Sequence, residues 1–284
     1  MKNISYIKVN GAGNEFILID EKENPSIELN KTEIEKICNR NVGLAADGVI
    51  ILKDDDNSDF KMHYFNADGS TGSLCGNGAR CAIKYAEMTN RVKSKTAVFN
   101  SNGQEYQGEI LTEESVKFYL KDPTKIKTGF RVMAHNQLIK ANFADTGSPH
   151  IIINIEDVLE NPKNLKSYHT DLETFPVVEI GQEIRNLPEF QPTGANVNFI
   201  QVENEFIKIR SFERGVEAET LACGTGAVAA AIILHILHKK NPPIKIITKS
   251  NAELIVNFEK ENQRFTNLSL TGPVEIEHKG NYSF

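Results

Sequence analysis

Two short segments built around cysteine repeat almost the same residues in distant parts of the chain. An apolar stretch of helical character follows each segment, and a polar turn containing glycine precedes each. The two cysteines lie 148 residues apart in a chain of 284, which predicts an internal duplication and two domains. This period is far too long for a solenoid repeat. The two segments are Cys75-Gly76-Asn77-Gly78-Ala79 and Cys223-Gly224-Thr225-Gly226-Ala227.

A thiol at the start of a helix is placed where its anion is stabilised, because the first N–H groups of a helix lack intrahelical partners and the helix dipole is positive there. The flanking glycines let the backbone approach a ligand closely, and the N–H groups of such a turn bind a carboxylate. Two such thiols facing each other across a flat carbanion would invert a carbon stereocentre without a cofactor. One would begin ionised and the other protonated, so their titrations should be coupled.

Other interpretations of the cysteines stay open at this point. A single Cys-Gly-x-Gly segment is also typical of a helix-capping turn with a buried cysteine. A metal site is less favoured, since Cys75 and Cys81 are not at zinc-finger spacing and Cys223 has no His or Cys nearby in sequence. Thiol redox chemistry favours a Cys-x-x-Cys pair, which the chain lacks. Cys38 and Cys81 fall on apolar helix faces and are predicted to be core residues.

The bulk composition is that of an ordinary globular protein, with 40% hydrophobic and 25% charged residues. A net charge of −6 argues against nucleic acid or an anionic membrane as a partner. No apolar run approaches the roughly 20 residues of a membrane span, and the first residues lack a signal-peptide core. A cytoplasmic location is therefore expected, and four cysteines in so long a chain do not predict a disulfide scaffold.

Local patterns predict strands and hairpins with few helices. Helices are expected over 32–40, with Thr32 as N-cap, over 78–88, and over 227–237, the last ended by Asn241-Pro242-Pro243. Stretch 160–176 reads as loop with a short helix. The break at Lys121-Asp122-Pro123-Thr124 is the first predicted domain boundary.

Several motifs, running in one order along nearly the whole chain, resemble those of the diaminopimelate epimerase family, which belongs to the cofactor-independent amino-acid racemases. They are Gly11-Ala12-Gly13-Asn14-Glu15-Phe16, Phe65-Asn66-Ala67-Asp68-Gly69-Ser70, the two cysteine segments, Gly147-Ser148-Pro149-His150, Asn196-Val197-Asn198-Phe199 and Glu213-Arg214-Gly215. The resemblance implies an α+β fold of two pseudo-symmetric domains, each a β-barrel-like sheet around a central helix, with the active site in the cleft between them. The expected domains are residues 1–122 with 271–284, carrying Cys75, and residues 123–270, carrying Cys223.

The resemblance also implies the reaction and the residues that perform it. The family interconverts LL- and meso-diaminopimelate on the route to lysine and peptidoglycan, without a cofactor or metal, and as a homodimer. Cys75 and Cys223 would be the acid/base pair, while His150 and Glu213 would tune the thiols. Ser148 stands where the family commonly has Asn, and Gly48 lacks a side chain that some members use to reach the substrate. The positions that would hold the small amino-acid substrate are Asn14, Asn66, Gly76, Asn77, Asn196, Glu213, Arg214, Gly224 and Thr225.

Three alternatives remain. A proline or hydroxyproline racemase of the same fold would commonly carry His in place of Asn77. A binding protein with the same fold would not need both thiols. A thiol oxidoreductase or zinc protein would need Cys75 and Cys223 to be bridged or bound to metal.

Overall fold

The computed structural model describes residues 2–72 and 74–284, so Met1, where the first predicted domain begins, lies outside the described residues. The chain divides into two compact units. The N-terminal unit runs to Tyr119 and includes Thr271–Phe284, and the C-terminal unit is Leu120–Leu270. The boundary predicted after residue 122 lies three residues beyond the one observed here.

The N-terminal unit is a mostly antiparallel sheet with two helices. Strand β1 pairs antiparallel with β2 and with β17, and β2 pairs parallel with β3. Strand β3 then pairs antiparallel with β4, β4 parallel with β5, and the series ends in the antiparallel pairs β5–β6 and β6–β7. Its elements are Asn3–Gly11 (β1), Asn14–Asp20 (β2), Lys31–Cys38 (α1), Gly48–Lys53 (β3), Phe60–Asn66 (β4), Gly76–Met88 (α2), Thr96–Ser101 (β5), Gln104–Ile110 (β6), Ser115–Tyr119 (β7) and Glu275–Ser283 (β17).

The C-terminal unit repeats this arrangement. Strands β8 and β9 pair antiparallel, as do β9 and β10, and β10 then pairs parallel with β11. Strand β11 pairs antiparallel with β12, β12 parallel with β14, and β14 antiparallel with β15. Its elements are Lys125–Ala134 (β8), Gln137–Asp145 (β9), Pro149–Asn154 (β10), Val177–Arg185 (α3), Asn196–Val202 (β11), Phe206–Glu213 (β12), Ala218–Thr220 (β13), Gly224–His238 (α4), Ile244–Ile247 (β14) and Glu253–Glu261 (β15), with short 3₁₀ turns at Ile155–Asp157 and Pro188–Phe190. Strand β16, Arg264–Pro273, begins in this unit and ends in the N-terminal one.

The order of parallel and antiparallel pairs is the same from β2 to β6 as from β10 to β15, once the short β13 is set aside. In both series a helix follows the first strand, α1 or α3, and a second helix, α2 or α4, precedes the parallel return. The predicted α+β fold of two pseudo-symmetric domains is confirmed.

Helices α2 and α4 are the central helices of their units. Every residue of α2 from Gly76 to Ile83 is buried, and α2 packs against β1 to β4, β6, β7 and β17. In α4 the residues from Gly226 to Leu234 are buried, against β9, β10, β11 and β15. Helix α4 is apolar on nearly all sides from Ala227 to Leu234, and such a helix must be enclosed, whereas α2 leaves Lys84 and Glu87 partly exposed. None of the described helices is both long and apolar enough to cross a membrane.

The start of α1 differs from the prediction. Thr32 is the second helical residue, and the N-cap is Asn30, whose side chain accepts from Glu33 N–H while the Glu33 carboxylate accepts from Asn30 N–H. Thr32, the predicted N-cap, stands three residues before Glu35, which is the same spacing as that between Asn30 and Glu33. Asn is at least as good an N-cap as Thr, so the local pattern alone could not separate the two registers.

The other three helices also differ from the prediction, and α2 begins at Gly76 rather than at residue 78. Helix α4 begins three residues before 227 and ends at His238, where Lys239 caps it in a left-handed conformation with φ of 57°, ahead of the two prolines. Helix α3 was not predicted, although Val177, Ile180 and Ile184 form its buried face with helical spacing. The duplication could have revealed it, because the 148-residue offset between the cysteines places α1 onto residues 179–186.

We expect Asn30→Ala to lower the free energy of unfolding by about 1 kcal/mol, since it removes the side-chain oxygen that accepts from Glu33 N–H. Urea denaturation followed by circular dichroism measures this change. Thr32→Ala is the matched control and should leave the midpoint nearly unchanged. The reverse ranking of the two variants would restore Thr32 as the cap.

Candidate active site

Both predicted catalytic cysteines are the residues immediately before a central helix. Cys75 is the N-cap of α2, with φ −89° and ψ 117°, and Cys223 is the N-cap of α4, with φ −121° and ψ 105°. The first intrahelical hydrogen bonds run from Ala79 N to Cys75 O at 2.8 Å and from Ala227 N to Cys223 O at 2.9 Å. Cys75 is partly exposed and Cys223 is buried. Each thiol therefore adjoins the first turn of a helix, where backbone N–H groups and the helix dipole favour an anion.

In the N-terminal unit, three amide and carboxylate side chains connect to the first turn of α2. Asn77 Nδ2 donates to Asn14 Oδ1 at 2.6 Å, and Asn14 Nδ2 donates to Asp47 Oδ2 at 3.1 Å. Asp47 also accepts from Glu15 N at 3.1 Å and from the Arg40 guanidinium at 2.6 Å. The structure thus brings together the predicted residues Asn14 and Asn77 and adds Asp47.

Sequence reasoning missed Asp47, although its neighbour Gly48 was singled out. Gly48 opens β3 and pairs with Asn66 at the end of β4, so both lie at the same edge of the sheet. A Cβ at Gly48 would stand 2.6 Å from Phe65 O and 2.7 Å from Tyr64 Cε2, so the position has no room for a side chain. Asn66 is half-buried, and its Nδ2 donates to Ser70 Oγ at 3.0 Å.

In the C-terminal unit, a chain of hydrogen bonds runs from the sheet to Cys223. Ser211 Oγ donates to Asn198 Oδ1 at 2.8 Å, and Asn198 Nδ2 donates both to Ile151 O and to His150 Nδ1, at 3.1 Å each. His150 Nε2 lies 2.9 Å from Thr225 Oγ1, which lies 3.9 Å from Cys223 Sγ. These contacts place His150, Thr225 and Cys223 in one network.

The direction of this network follows from the Asn198 amide. Because Asn198 Nδ2 is a donor, His150 Nδ1 accepts, and the proton of the neutral ring sits on Nε2. Nε2–H then donates to Thr225 Oγ1, which leaves the threonine hydroxyl hydrogen for the Cys223 sulfur. Desolvation by burial, together with the positive charge of Arg214, lowers the pKa of His150 to about 3. His150 is thus a neutral donor rather than a base near pH 7.

The remaining predicted substrate residues of this unit surround the turn between β12 and β13. Asn196 Oδ1 accepts from Arg214 N at 3.0 Å, and its Nδ2 donates to Pro149 O at 3.3 Å. Arg214 Nη1 donates to Thr193 O at 3.0 Å, and Glu213 accepts a short hydrogen bond from the Thr220 hydroxyl. Ser148, in the turn before β10, accepts from Thr146 N through its carbonyl at 3.2 Å. The Asn196 amide therefore holds the backbone that carries Arg214.

The buried glycines after Asn77 and Thr225 have a packing role. A Cβ at Gly226 would stand 2.3 Å from Asn198 Oδ1, and one at Gly78 would stand 3.2 Å from Ile50 Cδ1. Ile50 and Asn198 are equivalent residues of β3 and β11, related by the 148-residue offset. The absence of a side chain lets each central helix approach its sheet at the same place. Gly76 and Gly224 are the first residues of their helices and are also buried.

The other two cysteines are core residues, as predicted. Burial is the main cause that raises the pKa of both Cys38 and Cys81 to about 12, so both remain thiols. None of the four cysteines forms a disulfide. Within residues 2–72 and 74–284, no three His, Cys, Asp or Glu side chains form a group that could hold a metal ion.

Solved structures with the same fold include several isomerases. A PhzF-family phenazine biosynthesis protein from Bacillus anthracis matches with a TM-score of 0.73 at 13% identity, covering 100% of both chains. A probable proline racemase from Agrobacterium radiobacter also matches with a TM-score of 0.73 at 13% identity, covering 99% of this chain and 93% of that one. At such low identity these similarities establish the fold alone.

Sequence comparison is more specific. The family model for diaminopimelate epimerase matches residues 6–126 and 142–277. A diaminopimelate epimerase from Chlorobaculum tepidum is 36% identical over 96% of this chain and 98% of its own length, and one from Aquifex aeolicus is 34% identical over 99% and 98%. The chain belongs to the diaminopimelate epimerase family, and it is an isomerase.

We expect His150 to remain the Nε2–H tautomer and not to titrate between pH 8 and pH 5, because burial disfavours its cation and Asn198 occupies Nδ1. Long-range ¹H–¹⁵N NMR correlations of the imidazole ring report both properties. In Asn198→Ala, which removes the donor to Nδ1, the two tautomers should mix. A titration of His150 near pH 6.5, or an Nδ1–H tautomer, would contradict the hydrogen-bond direction derived above.

Proposed function

We propose that Cys75 and Cys223 are the two acid/base groups of a cofactor-independent epimerase that interconverts LL- and meso-diaminopimelate. The single observation that carries this proposal is the placement of both thiols as N-caps of equivalent central helices. A buried capping cysteine has no need to recur at equivalent positions of both units. A two-base reaction, in contrast, requires one such group for each face of the substrate carbon.

In the proposed reaction, the thiolate of one cysteine removes the α-proton of the substrate, and the electron pair of the broken C–H bond remains on the substrate as a carbanion. The thiol of the other cysteine delivers its proton to the opposite face, and its own electron pair stays on sulfur. Each turnover therefore exchanges the protonation states of the two cysteines. The N–H groups of the first helical turns would bind the α-carboxylate and stabilise the charge that spreads onto it.

The substrate carries a second amino-acid end, which needs partners of both signs. The half-buried Arg214 offers a forked donor for a carboxylate, and the Glu213 carboxylate with the amide oxygens offers acceptors for an ammonium group. Asn14, Asn66 and Asn77 would contribute from the N-terminal unit, Asn196 and Thr225 from the other. We place Gly48 outside this set, because the position cannot hold a side chain, and give Ser148 no more than one hydroxyl contact.

His150 supports the Cys223 thiol in this scheme through Thr225, as a hydrogen-bond donor. Glu213, which accepts a hydrogen bond from Thr220, would bind the substrate ammonium group and tune the pKa of the thiols. We further propose that the protein works in the cytoplasm as a homodimer, in lysine and peptidoglycan precursor synthesis, as the family does. The proline racemase alternative has no comparable support, since Asn77 stands where those enzymes commonly have His.

We expect turnover of LL-diaminopimelate in deuterated water, with no added cofactor, to incorporate deuterium at one α-carbon together with epimerisation. Cys75→Ala and Cys223→Ala should each reduce turnover by about 10²- to 10⁴-fold or more, because each removes one proton-transfer group. Chiral chromatography with mass spectrometry follows both label and stereochemistry.

Cys38→Ala is the matched control, since it removes a buried thiol of the same unit that the proposal does not use. It should retain activity. L-Proline in the same assay tests the alternative, and racemisation of proline without reaction of diaminopimelate would overturn the proposal. A single Cys75 or Cys223 variant with full activity would remove that thiol from the mechanism.

A further inference from the structure

Arg80, on α2, is a buried cation without a matching anion. It is fully buried, its Nη1 donates to Gly76 O at 3.5 Å, and its Nε and Nη2 have no hydrogen-bond partner. Arg91, the other buried arginine of this unit, shows the usual solution, since its guanidinium is paired with Asp20 and Asp54. No ion pair involving Arg80 occurs among the described residues of the chain.

The position of the Arg80 guanidinium makes its charge more unusual. Its contact with the carbonyl of Gly76 holds it near the start of α2, where the helix dipole is already positive and a cation is disfavoured. Burying an unpaired charge is costly, so a sequence that keeps one there implies an anion in some functional state. Although burial lowers the pKa of Arg80 to about 10, the group is still charged at neutral pH.

Two titratable groups interact electrostatically with this guanidinium, Cys81 and Cys75. Cys81 remains a thiol, because burial raises its pKa to about 12. Arg80 acts to lower this pKa, whereas Cys75 and Glu277 of β17 act to raise it. Cys75 is partly exposed and adjoins Gly76, whose carbonyl the guanidinium contacts. Of the two, Cys75 is the group that can become the anion.

The C-terminal unit has no cation at the position equivalent to Arg80. The 148-residue offset relates Arg80 to Val228, which is fully buried in α4. Phe16 of β2 pairs with Gly48 of β3, as His150 of β10 pairs with Asn196 of β11, so Phe16 and His150 are equivalent residues of the two units. His150 is neutral and therefore supplies no positive charge either. Cys223 is thus connected to a neutral hydroxyl and a neutral imidazole, on which the half-buried Arg214 acts, whereas the fully buried Arg80 guanidinium contacts the carbonyl of the residue after Cys75.

We propose that Arg80 is the buried counter-cation of a Cys75 thiolate, and that the free protein holds Cys75 ionised and Cys223 protonated. This inference rests on the proposed function for the pairing of the two thiols. Free protein in this state is ready to remove a proton with Cys75 and to deliver one from Cys223. After that turnover the protonation states are exchanged, and proton exchange with water, or a turnover in the opposite direction, restores them.

The test is the pH dependence of iodoacetamide alkylation in the absence of substrate, followed for each cysteine peptide by mass spectrometry. In the unaltered protein, the alkylation midpoint of Cys75 should lie below that of Cys223. Arg80→Met should raise the Cys75 midpoint by about one pH unit or more and leave that of Cys223 in place, because an adjacent opposite charge is lost. Arg80→Lys should restore most of the difference.

Lys84→Met is the matched control, since Lys84 is a cation of the same helix that pairs with Glu87, and it should not move the Cys75 midpoint. A purely structural Arg80 would make Arg80→Met less stable to heat with the Cys75 midpoint unmoved, whereas loss of a counter-cation raises that midpoint. A folded Arg80→Met with an unchanged Cys75 midpoint, or a Cys223 midpoint below that of Cys75 in the unaltered protein, would overturn the inference.

The unaltered protein can overturn the inference even if Arg80→Met does not fold, because a Cys75 midpoint at or above that of Cys223 excludes an ionised Cys75 in the free protein. Alkylation requires no turnover, so the expected midpoints in a protein that does not epimerise diaminopimelate would uphold Arg80 and reject the proposed function. Epimerisation of diaminopimelate by a protein whose Cys75 and Cys223 midpoints are equal would uphold the proposed function and reject the role of Arg80.

Discussion

A helix that begins inside a folded unit brings its first N–H groups to a place where neither water nor another helical turn can easily accept from them. Both central helices of this chain begin in this way, and at both the capping residue is cysteine. Serine, threonine, aspartate or asparagine would cap better, so cysteine gives up part of the stability available there. Each helix start instead has an ionisable sulfur beside backbone N–H groups that favour an anion.

The backbone of the two units is closely related, and the side chains at equivalent positions are not. Gly78 and Gly226 serve the same close approach of helix to sheet, against Ile50 in one unit and Asn198 in the other. The apolar partner needs no hydrogen bonds. The polar one is satisfied by Ser211, His150 and a backbone carbonyl, as a buried amide must be. A duplicated scaffold has therefore acquired a dry contact on one side and a hydrogen-bonded network on the other.

How much the sequence could predict depended on whether a feature was local. The two cysteine segments, the central helices and the hairpins were predicted because each is written in a few consecutive residues. Asp47 and Asn198 were missed as site residues, since their roles arise from strand register and from partners more than ten residues away. The N-cap of α1 was misplaced because Asn30 and Thr32 offer the same spacing to a glutamate. Helix α3 could have been predicted from the position of α1 in the first half of the duplication, because the offset between the two cysteines places α1 over most of α3.

The neutral state of His150 bears on how two equivalent thiols can differ. A charged imidazole near Cys223 would favour its thiolate, and both sulfurs would then compete for the ionised state. Enclosing the ring, with its Nδ1 held by Asn198, removes that charge and leaves a donor that supports the sulfur through Thr225 in either protonation state. A hydrogen bond of this kind can follow a proton that arrives and departs, whereas a fixed charge favours one state throughout. Cys223 can thus gain or lose its proton with no change in the charge of its hydrogen-bond partners, whereas the Arg80 charge would favour the thiolate of Cys75.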